Sequence, residues 1–316
     1  MRACIVGARS LPSRFREPGA APASCQGVRV TLVHNPCAGN HGSPDCVAMV
    51  EALGEIGWKA RTIGKHDIDE GLREPGEVVV VAGGDGTVGK VARRLAGTHV
   101  PMAVVPTGTA NNVARTLGVG VDARAAILGL PRAVERDVDL GMVTGGVPAG
   151  ERFVEGFGVG IFAWVMAERA TKKHKKLRRA LDLIATELEN YEPSRTRIEA
   201  DGRDHSGTYL MVAVMNLRSL GPALAFAPEA LFDDGKLDLV LVHPEERESL
   251  RTHLRRAADE GDITLPRFEV RRVERVRLGG YGGWAHLDDA SHEFDGDVEV
   301  RVDPGAVRFL IPPRGD

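Results

Sequence analysis

Three short runs rich in glycine, threonine and asparagine hold most of the chemistry this sequence can perform. Gly83-Gly84-Asp85-Gly86-Thr87 follows an apolar run and opens an amphipathic one. Its glycines let the backbone close on a ligand and take conformations denied to other residues. The free amides of a helix start face an anion, with the helix dipole behind them. Asp85 repels phosphate, so its uses are to hold a ribose hydroxyl, to bind Mg²⁺ or to take a proton from an acceptor. The plain alternative is a tight strand-to-helix turn with Asp85 as N-cap. Pro106-Thr107-Gly108-Thr109-Ala110-Asn111-Asn112 follows the next apolar run. There the hydroxyls of Thr107 and Thr109 suit further phosphate oxygens, or Thr109 serves as a helix cap. Asn35-Pro36-Cys37-Ala38-Gly39-Asn40 is the third run. Turns alone account poorly for three such loops leaving one sheet edge, which is where open α/β sheets bind ligands.

The elements that must position these loops are legible in the spacing of apolar residues. Val28–His34 reads as a strand ended by Asn35-Pro36, and Ser43–Gly57 as a helix with apolar positions at Val47, Val50, Leu53 and Ile56. Glu77–Ala82 is a nearly continuous β-branched run, as expected of a strand covered on both faces of a parallel sheet. Thr87–Ala96 follows as a helix, Met102–Val105 as a strand and Thr109–Leu117 as a helix. Such alternation predicts βαβ units. After about residue 135 strands dominate: Val134–Val143, Phe153–Val159, Arg195–Ala200, Thr208–Asn216, Leu237–Val242, Phe268–Leu278 and Val298–Val302. Helical stretches at about Ile161–Tyr191 and Glu245–Ala258 interrupt them. The expected fold class is therefore α/β: a parallel-sheet nucleotide domain over 27–135, then a β-rich, sandwich-like domain over 136–302 with a helical insertion at about 161–191. Residues 1–26 read as a loose leader, and 303–316 as a segment returning to the first domain.

The chain has 316 residues, 43% hydrophobic and 27% charged, which suits two domains with their own cores. A net charge of −3 and 5% aromatic content argue against nucleic acid as a partner. Cys4, Cys25, Cys37 and Cys46 cluster at one end and read as free thiols of a reducing compartment. With no apolar run long enough for a membrane span, the sequence reads as cytoplasmic. The basic run Lys172-Lys173-His174-Lys175-Lys176-Leu177-Arg178-Arg179 suits an anionic lipid surface or, more plainly, a solvated helix face. Phe157, Phe162, Trp164 and Met166 lie near it as candidate lining for a lipid tail or as core. His34 and His286 fall beside the predicted site but in no metal-ligand spacing.

The order NPCAG (35–39), GGDGT (83–87) and PTGTANNVAR (106–115) resembles the diacylglycerol kinase catalytic family, which includes sphingosine, ceramide and bacterial lipid kinases. Val138-Asp139-Leu140-Gly141, Gly156–Gly160, Ala227-Pro228, Asp234-Gly235-Lys236-Leu237-Asp238 and the ending at 297–312 continue the resemblance. It implies ATP and Mg²⁺ held between two domains and a lipid hydroxyl as acceptor. On this reading Asn35, Pro36, Gly39, Gly83, Gly84, Asp85, Gly86, Thr87, Thr107, Gly108, Thr109 and Asn111 surround the nucleotide. Asp85 and Asp288 are the catalytic carboxylates, and Asp234 and Asp238 are candidates for a structural Mg²⁺ or for ordinary turn chemistry. The implied partner is a lipid at the inner membrane face, reached peripherally through Lys172–Arg179, with a homodimer allowed.

Three departures stand out. Leu287-Asp288-Asp289-Ala290 replaces an expected Asp-Gly-Glu, so alanine stands where the resemblance puts glutamate. Asn111-Asn112 replaces Asn-Asp, and Lys90 replaces a common glutamate. Asp85, Asp289 and Glu293 are the other carboxylates able to substitute as base. The departures leave a non-catalytic nucleotide- or lipid-binding relative as one alternative. An enzyme like NAD kinase is another, disfavoured by PTGTANNVAR.

Overall fold

The computed structural model describes residues 27–35, 45–146, 151–171, 177–260 and 264–313. In chain order the strands and helices of the first half are β1 (Arg29–His34), α1 (Cys46–Glu55), β2 (Lys59–Gly64), α2 (Ile68–Gly71), β3 (Val78–Gly83), α3 (Asp85–Leu95), β4 (Met102–Pro106), α4 (Asn112–Thr116), α5 (Ala123–Gly129) and β5 (Val134–Thr144). Next come β6 (Glu151–Phe153), β7 (Gly156–Gly160), α6 (Ile161–Thr171), α7 (Leu177–Glu187), β8 (Ser194–Ala200), β9 (Arg203–Asp204), β10 (Gly207–Tyr209) and β11 (Met211–Met215). The chain closes with β12 (Leu237–Val242), α8 (Arg247–Glu260), β13 (Glu269–Val273), β14 (Arg275–Leu287) and β15 (Ala290–Ile311).

β3 shows why the first domain folds as it does. All six of its residues are buried, and side chains of a strand alternate between faces. Val79 and Val81 enter one apolar layer with Val88, Val91, Ala92 and Leu95 of α3. Val78, Val80 and Ala82 enter the opposite layer with Met49, Ala52 and Leu53 of α1 and Ile127 of α5. Full burial of each valine contributes roughly 1.5–3 kcal/mol, so neither face tolerates a polar residue. β1 pairs in parallel with β2 on one side and with β3 on the other. The chain thus reverses its direction of travel across the sheet at β1. Such a switch point opens a crevice at the C-terminal strand ends, and Asn35, Gly84 and Gly108 lie there.

The second half is antiparallel, in the order β13-β12-β11-β7-β14-β15. Phe153, Phe157, Val276, Leu278 and Val300 fill its interior. α6, α7 and α8 cover β11 and β12 through Ile161, Phe162, Leu181, Ile184, Leu250 and Leu254. The helical insertion is thus two helices. β15 joins the halves: Ala290–Arg301 pairs with β14, while Glu299–Ile311 pairs with β5, and Phe309 meets Met102 of β4. Its register shifts between Asp303 and Val307. Buried Asp139 fixes that irregularity by accepting the Gly305 amide at 2.7 Å and the Gly235 amide at 2.7 Å.

Several elements depart from the pattern reading. β2 and α5 were not expected; β2 has no buried residue, so it lacks an apolar run to betray it. The run Phe153–Val159 is broken at Val154-Glu155, whose amides turn to a side chain instead of a neighbouring strand. The expected leader, together with Pro36 and Gly39, lies outside the described residues. Of the four cysteines only Cys46 is described, and it is free. Among the described residues no helix is long and apolar enough to cross a membrane.

Candidate active site

Two cavities meet at the switch-point crevice. The first, about 490 Å³, is lined by Asn35, Gly84, Asp85, Gly86, Thr87, Gly108, Thr109 and Asp289, with the cations Lys65 and Lys90 and with His66. The second, about 690 Å³, shares Gly84, Asp85, Gly86, Thr109 and Asp289 with it. From there it extends past Glu155, Asp288 and Ala290 to an apolar wall of Phe162, Val165, Met166, Ile184 and Pro222. One cavity is small and lined by charges of both signs, the other large and apolar at its far end, and the GGDGT turn is their common wall.

The turn itself is closely determined. Asp85 is the first residue of α3 and Gly84 its cap position, so Asp85 does not cap its own helix. Its Oδ1 accepts the Val113 amide at 3.0 Å and so links the first loop to the start of α4. Burial raises the Asp85 pKa, and the Val113 and Asn112 amides oppose that rise. Asn35 Nδ2 donates to Thr87 Oγ1 at 3.1 Å, joining the third loop to the first. Gly84 and Gly108 touch backbone to backbone: a side-chain carbon on Gly108 would fall 2.4 Å from Gly84 Cα.

Not every expected nucleotide residue reaches the cavity. Gly83 ends β3 in the interior and accepts the Thr107 amide at 3.3 Å, and buried Thr107 lines neither cavity. Asn111 takes a left-handed φ of 51° and closes a ring with Gly108, donating to its carbonyl and accepting its amide at 2.9 Å each. Its side chain therefore shapes the loop and is committed to Gly108. This brace also delays α4 to Asn112, so Thr109 is exposed to the cavities and is not a cap.

Asp288 and Asp289 form the two-residue turn between β14 and β15, where Leu287 pairs with Ala290. Asp288, expected as a catalytic carboxylate, has both oxygens engaged. Oδ1 accepts the amides of Glu155 at 2.7 Å and Val154 at 3.0 Å, and Oδ2 meets Arg93 Nη1 at 2.8 Å. Burial pushes its carboxyl up to about 6, against the pull of Arg93 and the two amides. Asp288 thus pins the hairpin tip to the break between β6 and β7. Asp289 beside it is exposed and rests over Gly86, where an added side-chain carbon would fall 2.1 Å from Asp289 Oδ2.

Three polar residues of the site, Lys65, His66 and Glu155, escaped sequence reasoning, and a fourth, Lys90, stood out there only as a departure from the resemblance. Lys65 and His66 follow the unexpected strand β2, and Lys90 lies on α3, 3.4 Å from Asp69. Glu155 is buried, and Asn112 Nδ2 donates to its Oε2 at 3.1 Å. Burial, then Asp85 and Asp288, push the Glu155 pKa well above the usual carboxylate range. A glutamate inside the apolar run FVEGFGVG was its only sequence signal.

Asp234 lies in the turn before β12 and Asp238 is the second residue of that strand. Asp234 Oδ1 accepts the Lys236 amide at 3.1 Å within its own turn, and Oδ2 faces Arg272 at 3.4 Å, so a guanidinium already supplies the positive charge. Asp238 is buried, which pushes its pKa up to about 6. Among the described residues no three metal-capable side chains converge. Of the proposed tail-lining residues, Phe162 and Met166 reach the larger cavity, Trp164 packs on the helical core and Phe157 fills the sandwich. His286 is fully buried behind Phe162, its ring 5.3 Å from the phenyl centroid, and burial holds it neutral with a pKa of about 3. A wider depression of about 760 Å³ on the sandwich has its charges paired among themselves, Arg197 with Asp297 at 3.0 Å and Arg277 with Glu299 at 3.0 Å.

A parallel-sheet domain with paired glycine-threonine loops faces a sandwich across a cleft, an architecture that suits a phosphotransferase. Residues 29–143 match the family model for the diacylglycerol kinase catalytic domain, and residues 156–311 match that for the YegS C-terminal NAD kinase beta sandwich-like domain. The chain belongs to the diacylglycerol kinase catalytic-domain family and is a kinase of the lipid-kinase group. It is 29% identical over 301 residues to a Mycobacterium tuberculosis protein named "Diacylglycerol kinase", covering 93% of this chain and 94% of the relative. A Pseudomonas aeruginosa relative named "Probable lipid kinase YegS-like" is 29% identical over 294 residues, covering 89% of this chain and 93% of its own. The crystal structure of a diacylglycerol kinase from Bacillus anthracis superposes with a TM-score of 0.67 at 20% identity, over 90% of this chain and 97% of that one, a likeness of fold.

Proposed function

We propose that the protein transfers the γ-phosphoryl group of ATP to the hydroxyl of a lipid of the diacylglycerol or sphingoid type. The observation that carries this reading is the common wall of the two cavities, because a transfer between two substrates needs their reacting groups at one line. The smaller cavity suits a polyphosphate, with Lys65 and Lys90 as counter-charges and the loop amides as donors. The larger suits an acceptor that is polar at one end and apolar at the other. Asp85 faces the smaller cavity as a carboxylate from the GGDGT turn, a donor that suits a hard divalent cation between it and phosphate. Mg²⁺ entering on the nucleotide would neutralise phosphate charge there, and Asp85 is the side chain that would face it. The enzyme works peripherally at the inner membrane face; of the basic run, Lys172–Lys176 lie outside the described residues, and exposed Arg178 is paired with Asp259 at 2.6 Å.

The test is transfer of labelled γ-phosphate from ATP-Mg²⁺ to a panel of lipid alcohols in micelles. A labelled lipid is expected. Verified nucleotide binding without a labelled lipid would favour the reading that Ala290 motivates, a binding relative without turnover.

Gly108→Ala places a carbon 2.4 Å from Gly84 Cα, which forces the two loops apart. ATP should bind at least about tenfold more weakly, a loss of about 1.4 kcal/mol that calorimetric titration will register.

A further inference from the structure

The position that the family resemblance gives to a glutamate holds Ala290 here, so a lipid-hydroxyl base must come from elsewhere. Four carboxylates line the acceptor cavity: Asp85, Glu155, Asp288 and Asp289. Asp288 is committed to the Val154 and Glu155 amides and to Arg93. Glu155 is buried and held by Asn112. Neither reaches the nucleotide cavity, which only Asp85 and Asp289 among these four also line. Asp85 is half-buried in the GGDGT turn with Oδ1 bound to the Val113 amide. Asp289 is exposed and makes no hydrogen bond or ion pair among the described residues. Glu293 lines neither cavity; it lies farther along β15, opposite Trp284.

We propose that Asp289 is the catalytic base of the lipid kinase reaction in this chain, doing from one residue earlier what Ala290 cannot. The inference rests on the lipid kinase reading above. The acceptor O–H proton passes to an Asp289 oxygen as the hydroxyl oxygen forms a bond to the γ-phosphorus of ATP. The bond from that phosphorus to the β–γ bridging oxygen breaks, and its electron pair leaves on ADP. Three features bring the carboxylate to that line. The two-residue turn projects it from the hairpin tip, Asp288 pins the tip to β6 and β7, and Gly86 has no side chain to exclude it. The absence of a carbon on Gly86 is essential to this approach, since any other residue would occupy the space of Asp289 Oδ2.

The experiment compares wild type, Asp289→Asn and the double variant Asp289→Asn/Ala290→Glu in the labelled transfer assay, with ATP binding measured separately. Asp289→Asn should lower kcat by roughly 100- to 1,000-fold, with the ATP dissociation constant within about threefold. The double variant should recover at least tenfold of that loss, because it returns a carboxylate one residue along. An Asp289→Asn enzyme within threefold of an active wild type would overturn the inference. So would a defect that disappears at raised Mg²⁺, or one accompanied by an equal loss of ATP binding, since either makes Asp289 a metal or nucleotide contact. If wild type itself labels no lipid, the kinase reading fails and the inference falls with it.

Discussion

Replacing Asp288 with alanine is expected to lower the thermal unfolding midpoint by roughly 6–15 °C, the largest stability effect of any single substitution at the site. The residue is 5% exposed, and its side chain accepts the Val154 and Glu155 amides while pairing with Arg93 at 2.8 Å. Alanine leaves those amides without an acceptor and a partly buried guanidinium without its counter-charge. Breaking one side of such a pair costs about 3–5 kcal/mol, mostly as the penalty of the orphaned groups. Asp288→Asn keeps one acceptor oxygen and tolerates the left-handed φ of 50°, so its loss should be smaller. Circular dichroism melts of the three proteins will decide. A midpoint for Asp288→Ala within 2 °C of wild type would show that the hairpin tip is held by the sheet alone.

The second large effect is on turnover. Asp85→Ala should reduce phosphate transfer by about three orders of magnitude while leaving the melting temperature within a few degrees. Asp85 lines both cavities, and its Oδ1 ties the first loop to the α4 amide of Val113. Alanine removes the charge at the transfer line and the tie together. Asp85→Asn separates the two, since its amide oxygen can still accept from Val113. If charge is what matters, Asp85→Asn will be nearly as slow as Asp85→Ala; if the tie matters, it will keep more than a tenth of the wild-type rate. The labelled transfer assay distinguishes these outcomes, with calorimetry reporting whether nucleotide still binds.

The parts of this protein that were legible in its sequence are those governed by local rules. β3 declares itself because a strand covered on both faces must be apolar throughout, and the loops after β3 and β4 because glycine and threonine at strand ends have few other uses. What was hidden depends on contacts between distant residues. Nothing local distinguishes Asp288 from Asp289; only the amides of Val154 and Glu155, more than a hundred residues away in sequence, make one a strut and leave the other free. β2 stayed hidden because its exposed, mixed sequence KARTIG follows no period, and Lys65 and His66 stayed hidden with it. Asn111 illustrates a third kind of miss. Its place in a ligand-like motif suggested contact with nucleotide, whereas its amide is occupied in closing the loop on Gly108.

The long strand β15 has a consequence for how substrates enter and leave. Many two-domain enzymes admit their ligands by rotating about slender hinges, a collective movement on the slow side of protein dynamics. Here the turn bearing Asp289 runs directly into a strand that is bonded to β14 at one end and to β5 and β4 at the other. Rotation of one half against the other would shear that ladder, so the frame stays stiff. Entry and release then belong to the rims of the cavities, where loops and individual side chains rearrange on faster timescales than whole domains do.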